Sequence, residues 1–461
     1  MYIKRYVIEW GLLSFIWFAA VFFPIHRVLF GVLVLFVISL LLWEIPKKTL
    51  EIPKLLILAL LFQNTIIGVA CHLSGAVSDD LQMFTQLPYI VVCLATAIIL
   101  CNQLRQRRHL LFFLYLVIIL IYCYKGKVTS LSVLAYSIRN LTAFYFIYLI
   151  GSYFIDSKEK LDEMKQFYIK LATFAGIVGL ILLAVGEKGY LMLGIKELYV
   201  LKSDGNSNLW VGHLPGNFYG EFFGKFIIRM GSLYMEPVNF SSFMALAVIL
   251  RASQINTGRD AIQFAFLVVC NILTFGKGGL LIAVLTMGGM LAAWVLQKVK
   301  GMGNGIMVKM LFCAVIAGGV ALGIIYGTRY SYNFHFYTMA ITFRVLLRNP
   351  MGYGVGTVGN MSDSMSYVGS ETGLLNFWCQ IGILGLIVFL LIHVRMSAFV
   401  WKNWDYSRDN SLQTAFLLLP LVLLIVFVFQ ENIYTMQVIS GYMLFLGHYG
   451  NVGEKRDKAA G

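Results

Sequence analysis

The chain has 461 residues, of which 59% are hydrophobic and only 13% are charged, and its mean hydropathy is +0.79. Soluble domains carry about 25% charged residues, so this composition excludes a soluble globular protein and indicates an integral membrane protein. The net charge of +14 does not require a nucleic acid partner, because the cytoplasmic loops of membrane proteins are rich in Lys and Arg.

Fourteen apolar segments follow one another along the chain, and they are long enough for helices rather than for barrel strands. They predict an all-α, polytopic membrane protein with about 12–14 transmembrane helices. The first segment continues directly into the second, so no cleavable signal peptide is expected. The segments are residues 7–23, 28–44, 55–71, 86–101, 109–124, 130–153, 167–186, 239–254, 260–275, 278–297, 307–326, 371–394, 413–430 and 435–449.

The basic residues predict an orientation. If both termini lie in the cytoplasm, the short inner segments hold 22 of the 36 Lys and Arg residues. The short outer loops then hold only four basic residues, which are Arg27, Lys125, Lys127 and Lys277. This asymmetry follows the positive-inside rule, so we expect a multi-pass protein with cytoplasmic termini.

Two segments, 187–238 and 327–370, interrupt the pattern of short connections, and both are expected on the outer face. Together with the apolar segments, these two loops divide the chain into five parts. Long loops in compact proteins usually carry function, so the functional site is predicted outside. The parts are the transmembrane scaffold 1–186, outer loop 187–238, helices 239–326, outer loop 327–370, and the C-terminal helices with a short tail, 371–461.

The stretch GVGTVG at 354–359 matches the G-x-G-x-x-G spacing of dinucleotide-binding loops. That fingerprint requires a preceding strand, a following helix and an acidic residue about 20 residues later. None of this context is present, so the match is interpreted as accidental. The glycines still permit an irregular backbone, and exposed amides at Gly354 and Gly356 are candidates for contacts with a phosphate.

Basic residues in the outer loops are candidates for binding an anion. Arginine is the preferred bidentate partner of phosphate, whereas the loop lysines also fit a solvated surface. The arginines are Arg229, Arg329, Arg344 and Arg348, and the lysines are Lys188, Lys196, Lys202 and Lys225.

Two further basic residues lie at membrane depth or at its edge. Arg139 is inside a predicted span, where an arginine indicates function by default, although a structural pair between helices or snorkelling also fits. Lys277 lies at a Gly-rich bend between two spans, and it fits either a simple hairpin or a ligand contact.

Two acidic residues are candidates for the general base. Glu236 precedes Pro237, and Glu371 opens a span; a carboxylate at either place also suits a helix N-terminus. No metal site is expected, because the outer histidines have no partner at ligand spacing and the seven cysteines show no C-x-x-C pattern.

Three stretches, in this order, resemble the superfamily of O-antigen polymerases (Wzy) and O-antigen ligases. The first is RMGSLYMEPVNF at 229–240, with its Arg, aromatic, acidic and Pro positions. The second is LTFGKGGLL at 273–281, where Lys277 stands at a usual arginine. The third is RNPMGYGVGTVG at 348–359, followed by GSETGLLNFWCQIGILGL at 369–386. The resemblance covers about residues 225–390, and the N-terminal half matches only as a many-span scaffold.

The resemblance implies a transferase of the bacterial cytoplasmic (inner) membrane. Its substrate would be an undecaprenyl-diphosphate-linked oligosaccharide, and the glycan would pass to another lipid-linked repeat unit in O-antigen, capsule or exopolysaccharide assembly. No nucleotide sugar, metal or other cofactor is implied; membrane lipids, a flippase and a chain-length regulator are candidate partners. Ligases carry a His-Asn pair where this chain has Glu371-Thr372, which favours the polymerase branch.

The chemistry of the residues gives each of them an expected role. A lipid diphosphate leaves readily when its charge is held, and the attacking sugar hydroxyl needs a base. The catalytic candidates are Arg229, Arg344 and Glu371. Glu236 is the second choice as base, and the expected binding residues are Arg139, Lys277, Arg329, Arg348, Gly354, Gly356 and Glu236.

Two alternatives stay open. The first is a transporter or flippase of lipid-linked oligosaccharides, which would predict internal repeats and charges at the midplane. The sequence shows no clear repeat. The second is a ligase of the same superfamily, which the absent histidine opposes.

Overall fold

The structure is a computed structural model, and it describes most of the chain. An all-α, polytopic membrane protein is confirmed, because seven helices within the described residues are long and apolar enough to cross a membrane. The described residues are 26–75, 82–103, 109–128, 130–203, 210–211, 213–222, 225–296, 304–329, 332–358, 372–402, 404 and 411–460.

The helices follow the apolar segments of the sequence closely. Of the fourteen predicted segments, 7–23 lies outside the described residues, and each of the others coincides with a helix. The helices are α1 (His26–Glu44), α2 (Glu51–Ser74), α3 (Gln82–Gln103), α4 (Leu110–Gly126), α5 (Leu131–Phe154), α6 (Lys158–Val185), α7 (Glu187–Met192), α8 (Ile195–Ser203), α9 (Pro237–Ala252), α10 (Gly258–Leu273), α11 (Lys277–Leu296), α12 (Asn304–Arg329), α13 (Tyr332–Arg348), α14 (Gly373–Lys402), α15 (Ser411–Phe429) and α16 (Met436–Ala460).

Both long segments contain regular structure. The first holds α7, α8 and two antiparallel hairpins, β1 (Trp210–Val211) with β2 (Leu214–Pro215), and β3 (Tyr219–Phe222) with β4 (Lys225–Ile228). The second holds α13, whose Met339, Thr342 and Leu346 lie at helical spacing and face the protein. Hence much of what the sequence presents as loop is folded onto the helices.

Local sequence signals explain several helix starts. Ser130 caps the start of α5, and its hydroxyl accepts a hydrogen bond from the amide of Val133 at 3.4 Å. Thr257 and Asp260 form a reciprocal capping box at α10. Pro237 occupies the first turn of α9, with Glu236 as the preceding cap residue. This last arrangement holds the Glu236 carboxylate at the end of a helix.

The centre of the bundle is formed by α5 and α16, which pack closely along their length. Small residues allow this approach. A methyl group on Gly151 would lie 2.1 Å from the carbonyl oxygen of Leu444, and one on Gly447 would lie 2.3 Å from that of Tyr148. The two backbones are therefore in direct contact.

Helix α14 is broken at Gly382, which has the left-handed φ of 67°. The segment after α13 completes the hydrogen bonds of the break. The carbonyl of Pro350 accepts from the amide of Ile383 at 2.9 Å, and the carbonyl of Cys379 accepts from the amide of Tyr353 at 2.7 Å. The Gly-rich segment and the broken helix thus form one unit.

Segments predicted on the same side of the membrane meet in the structure. On the predicted inner side, Lys54 forms an ion pair with Glu163 at 2.7 Å, and Ser411 donates to the carbonyl of Ser253 at 3.1 Å. On the predicted outer side, Lys125 donates to the carbonyl of Met351 at 2.8 Å.

Candidate functional site

Three cations and one carboxylate from distant parts of the chain are linked electrostatically, and we name these four residues the Glu236 cluster. They are Arg139 on α5, Lys202 on α8, Arg229 directly after β4, and Glu236 at the start of α9. Glu236 interacts electrostatically with both Lys202 and Arg229, and Arg139 interacts with Lys202. The sequence separates these residues by up to nearly 100 positions, and the fold brings them together.

The Glu236 carboxylate is held by the next helical turn. The Nδ2 of Asn239 donates to the Oε2 of Glu236 at 2.9 Å and to the Oε1 of Gln437 on α16 at 2.9 Å. Asn239 is three residues after Glu236, which places it on the same face of the helix. The carboxylate is therefore fixed relative to both α9 and α16.

Arg229 is anchored by two backbone carbonyls. Its Nε donates to the oxygen of Thr274 at 2.9 Å, and its Nη1 donates to the oxygen of Asn217 at 3.0 Å. Burial lowers the pKa of Arg229 to about 10, while Tyr199 and Glu236 oppose that shift. The guanidinium consequently stays positively charged at neutral pH.

Arg139 projects from α5 toward α3 and the cluster. Its Nη1 donates to the Oε1 of Gln86 at 3.1 Å and to the carbonyl of Thr85 at 3.3 Å. Its Cζ lies 4.7 Å from the centre of the Tyr136 ring, within cation–π range. The buried Nε has no hydrogen-bond partner among the described residues, so one donor of this guanidinium is left for a ligand or a water.

Lys202 is the member of the cluster that sequence reasoning did not single out. Its Nζ lies 5.6 Å from the centre of the Tyr199 ring. Burial lowers the pKa of Lys202, Glu236 raises it, and Arg139 lowers it further. One signal was available: Ile195, Leu198 and Leu201 share a helical spacing, and all three are buried.

The charges of the Glu236 cluster do not balance. It contains three cations and one carboxylate, and no described carboxylate lies within 4.0 Å of the nitrogens of Arg139, Lys202 or Arg229. Glu431, in the turn before α16, interacts electrostatically with Tyr136 and adds negative charge nearby. Cations held inside a protein without direct carboxylate partners are suited to an anionic ligand.

The remaining predicted cations do not join the cluster through any described contact. Lys277 is exposed at the start of α11, three residues after the carbonyl that holds Arg229. Arg344 and Arg348 are exposed on α13, which packs on α12 and α14. The side chain of Arg329 and the whole of Glu371 lie outside the described residues.

Gly354 and Gly356 are packed within the protein. The amide of Gly354 faces the carbonyl of Cys379 at 3.4 Å, and the amide of Gly356 donates to the Oε1 of Gln380 at 3.3 Å. A methyl group on Gly354 would lie 2.3 Å from the Cα of Gly126. Close packing accounts for both glycines, and contact with phosphate remains a prediction.

In the part of the chain that the structure describes, no group of three His, Cys, Asp or Glu side chains is placed to hold a metal ion. No protein-family model matches the sequence, and no curated protein is significantly similar to it. The resemblance over residues 225–390 therefore rests on its motifs alone. The Glu236 cluster is an independent observation, because it comes from the geometry of the fold.

Proposed function

We propose that this protein is a polymerase that transfers glycan from an undecaprenyl-diphosphate-linked donor to a lipid-linked repeat unit. The observation that carries the proposal is the Glu236 cluster. One of its cations is on the spanning helix α5 and two are in the segment between α6 and α9. None has a direct carboxylate partner among the described residues, and a lipid diphosphate is an anion that reaches such a site from the bilayer. The order of motifs along residues 225–390 supports the same function.

The proposed reaction gives each residue a role. A hydroxyl oxygen of the acceptor sugar forms a bond to the anomeric carbon of the donor, and the bond from that carbon to the diphosphate oxygen breaks. Arg139, Lys202 and Arg229 stabilise the negative charge that grows on the departing diphosphate. Glu236 receives the hydroxyl proton. The products are the lengthened glycan, which is attached to the carrier of the acceptor, and free undecaprenyl diphosphate.

Glu371 is the alternative base. The sequence favours it, and it directly precedes Thr372 at the start of α14. Since the two acidic residues make different predictions, each is tested by a substitution of equal size, Glu236→Gln and Glu371→Gln. The base is the residue whose substitution abolishes extension while the affinity for the donor is retained.

A transporter of lipid-linked oligosaccharides is the second candidate. Arg139 favours it, because an arginine within a span with an unpaired Nε also suits a path for a charged headgroup. The two candidates differ in their product: the polymerase lengthens the glycan, whereas the transporter only moves it between leaflets.

The test is reconstitution in liposomes with lipid-diphosphate-linked repeat units and no nucleotide sugar, followed by a glycan ladder on a gel. We expect a ladder from the wild type, and its loss in Arg229→Ala and Lys202→Ala. The matched controls are Lys225→Ala on β4 and Lys196→Ala on α8, both exposed lysines on the same elements, and these should keep the ladder.

Two results would overturn the proposal. Repeat units that change leaflet without lengthening would make the protein a transporter. A full ladder from both Arg229→Ala and Lys202→Ala would remove the Glu236 cluster from the reaction.

A further inference from the structure

Three asparagines around the Glu236 cluster have buried amide oxygens without a hydrogen-bond donor. They are Asn140, Asn217 and Asn239, and their buried Oδ1 atoms have no hydrogen-bond partner among the residues that the structure describes. A buried acceptor without a donor is unfavourable, so each oxygen is suited to receive a donor from a ligand. Asn140 and Asn239 lie on α5 and α9, beside Arg139 and Glu236, and Asn217 lies in the turn between β2 and β3 and accepts a bond from Arg229.

The amide of Asn239 has a fixed orientation. Its Nδ2 donates to the Glu236 carboxylate, which can only accept, and also to the Oε1 of Gln437. Because the nitrogen must face Glu236, the oxygen must face away from it. Asn239 is only 3% exposed, so its free acceptor lies inside the protein beside the proposed base.

Asn217 and Asn140 flank the cations. The Nδ2 of Asn217 donates to the Tyr199 hydroxyl at 2.9 Å, and the backbone oxygen of Asn217 receives the Nη1 of Arg229. Asn140 directly follows Arg139, and its side chain is hydrogen-bonded to Tyr136 one turn earlier. In both residues the side-chain bond to a tyrosine leaves the Oδ1 atom without a donor among the described residues.

The site has one part that supplies hydrogen-bond donors and another part that supplies acceptors. Phosphate oxygens only accept, so they match the cations and the free Nε of Arg139. The three amide oxygens need donors, and ionised phosphate has none, whereas each sugar hydroxyl provides one. A ligand with an ionised diphosphate next to a hydroxyl-rich ring supplies both kinds of group at adjacent positions.

We infer that Asn140, Asn217 and Asn239 form a sugar subsite that binds hydroxyl groups of the residue attached to the diphosphate. This inference rests on the proposed function, which provides the diphosphate end of the ligand. It adds that the protein recognises the donor by its first sugar as well as by its charge. Each of the three also has a structural bond, Asn140 to Tyr136, Asn217 to Tyr199 and Asn239 to Glu236.

The test compares binding of bare undecaprenyl diphosphate with binding of the same lipid carrying one glucose, galactose or N-acetylglucosamine. Protein in nanodiscs is titrated with each lipid. The wild type should bind the best glycosylated lipid at least about tenfold more tightly than the bare one, since pairing one buried acceptor is worth about that factor. Asn140→Leu and Asn217→Leu should each reduce this ratio toward one, whatever their effect on the affinity for the bare lipid, because the ratio isolates the contribution of the sugar.

Controls separate the failure of this inference from failure of the proposed function. Asn256→Leu, at an exposed position on a remote loop, should retain the ratio, and Lys202→Ala should weaken both lipids equally. Asn140 and Asn217 lie on different elements, so if one of the two variants misfolds, the other still tests the inference. A wild-type ratio of one, or an unchanged ratio in the folded Asn variants, means that no sugar hydroxyl pairs with these oxygens and overturns the subsite. No binding of any lipid diphosphate overturns the proposed function itself.

Discussion

The Nε of Arg229 donates a hydrogen bond to the backbone carbonyl of Thr274 at 2.9 Å. This bond joins the end of the second hairpin to the turn that precedes α11. A second nitrogen of the same guanidinium, Nη1, donates to the carbonyl of Asn217 in the turn before β3. The guanidinium therefore holds the end of β4, the turn before β3 and the turn before α11 together, in addition to supplying charge to the Glu236 cluster.

Arg229→Lys should not preserve the site, although it preserves the charge. A single ammonium on a flexible stem cannot bridge two fixed carbonyls as the guanidinium does. Each lost bond from a charged donor costs about 1.5–3 kcal/mol, so we expect a lower melting temperature together with a weak glycan ladder. The measurements are a thermal shift in detergent and the liposome ladder. Wild-type values in both would mean that Arg229 contributes only charge.

The lowered pKa of Lys202 predicts a dependence on pH. Burial disfavours the charged amine, so Lys202 loses its proton at a lower pH than an ordinary lysine does. Below that pH the cluster has three positive charges. Above that pH Lys202 is neutral, and the cluster has two. Affinity for undecaprenyl diphosphate should therefore fall as the pH becomes alkaline.

Lys202→Arg should move this fall to higher pH, because arginine keeps its proton. The comparison needs only binding curves for the two proteins across the neutral and alkaline range. Coinciding curves would show that another group controls the titration. The deprotonation of the diphosphate itself cannot explain a fall, since it makes the ligand more negative at higher pH.

Gly354→Ala should impair folding rather than binding alone. The residue has a φ of 117°, and an added methyl group would lie 2.3 Å from the Cα and N of Gly126. The backbone strain alone costs about 1–3 kcal/mol. We expect a reduced yield and a lower melting temperature. Gly258→Ala is the control, because its position has open space. A Gly354→Ala protein that melts normally but loses the lipid diphosphate would instead favour a phosphate loop.

Tyr434→Phe should destabilise the bundle although it changes one atom. The Tyr434 hydroxyl lies 2.6 Å from the Nε2 of His393, and both side chains are buried. Loss of the hydroxyl leaves the ring nitrogen of His393 without that partner, at a cost of about 1–3 kcal/mol. Tyr124→Phe is the matched control, because Tyr124 is 89% exposed. Equal melting temperatures for the two variants would contradict this role.

The sequence allowed much of the helical scaffold to be predicted, for a physical reason. A span must satisfy its backbone hydrogen bonds internally and present apolar side chains, so its signature is local and continuous. The helix at Leu131–Phe154 and the one at Ser411–Phe429 follow directly from their apolar runs. The break at Gly382 is different, because its stability depends on Pro350 and Tyr353 from another segment.

The site was partly predictable. Arg139 is a candidate because charge at membrane depth is costly and so indicates function, whereas Arg229 and Glu236 are candidates as a phosphate-binding arginine and a general base. Lys202 was not distinguished from the other loop lysines, since only the packing of α8 brings it beside Glu236. Arg344 is a catalytic candidate in the sequence, but no described contact joins it to the Glu236 cluster.

The break in α14 has a consequence for the biogenesis of the protein. A helix that enters the bilayer with unsatisfied amides and carbonyls at Gly382 is unfavourable until the Pro350–Gly354 segment docks on it. That segment precedes the helix in the chain, so it has already been synthesised when α14 emerges. Docking of the segment and insertion of the helix are therefore coupled steps. In a chimera with another protein, residues 349–402 would have to be exchanged together.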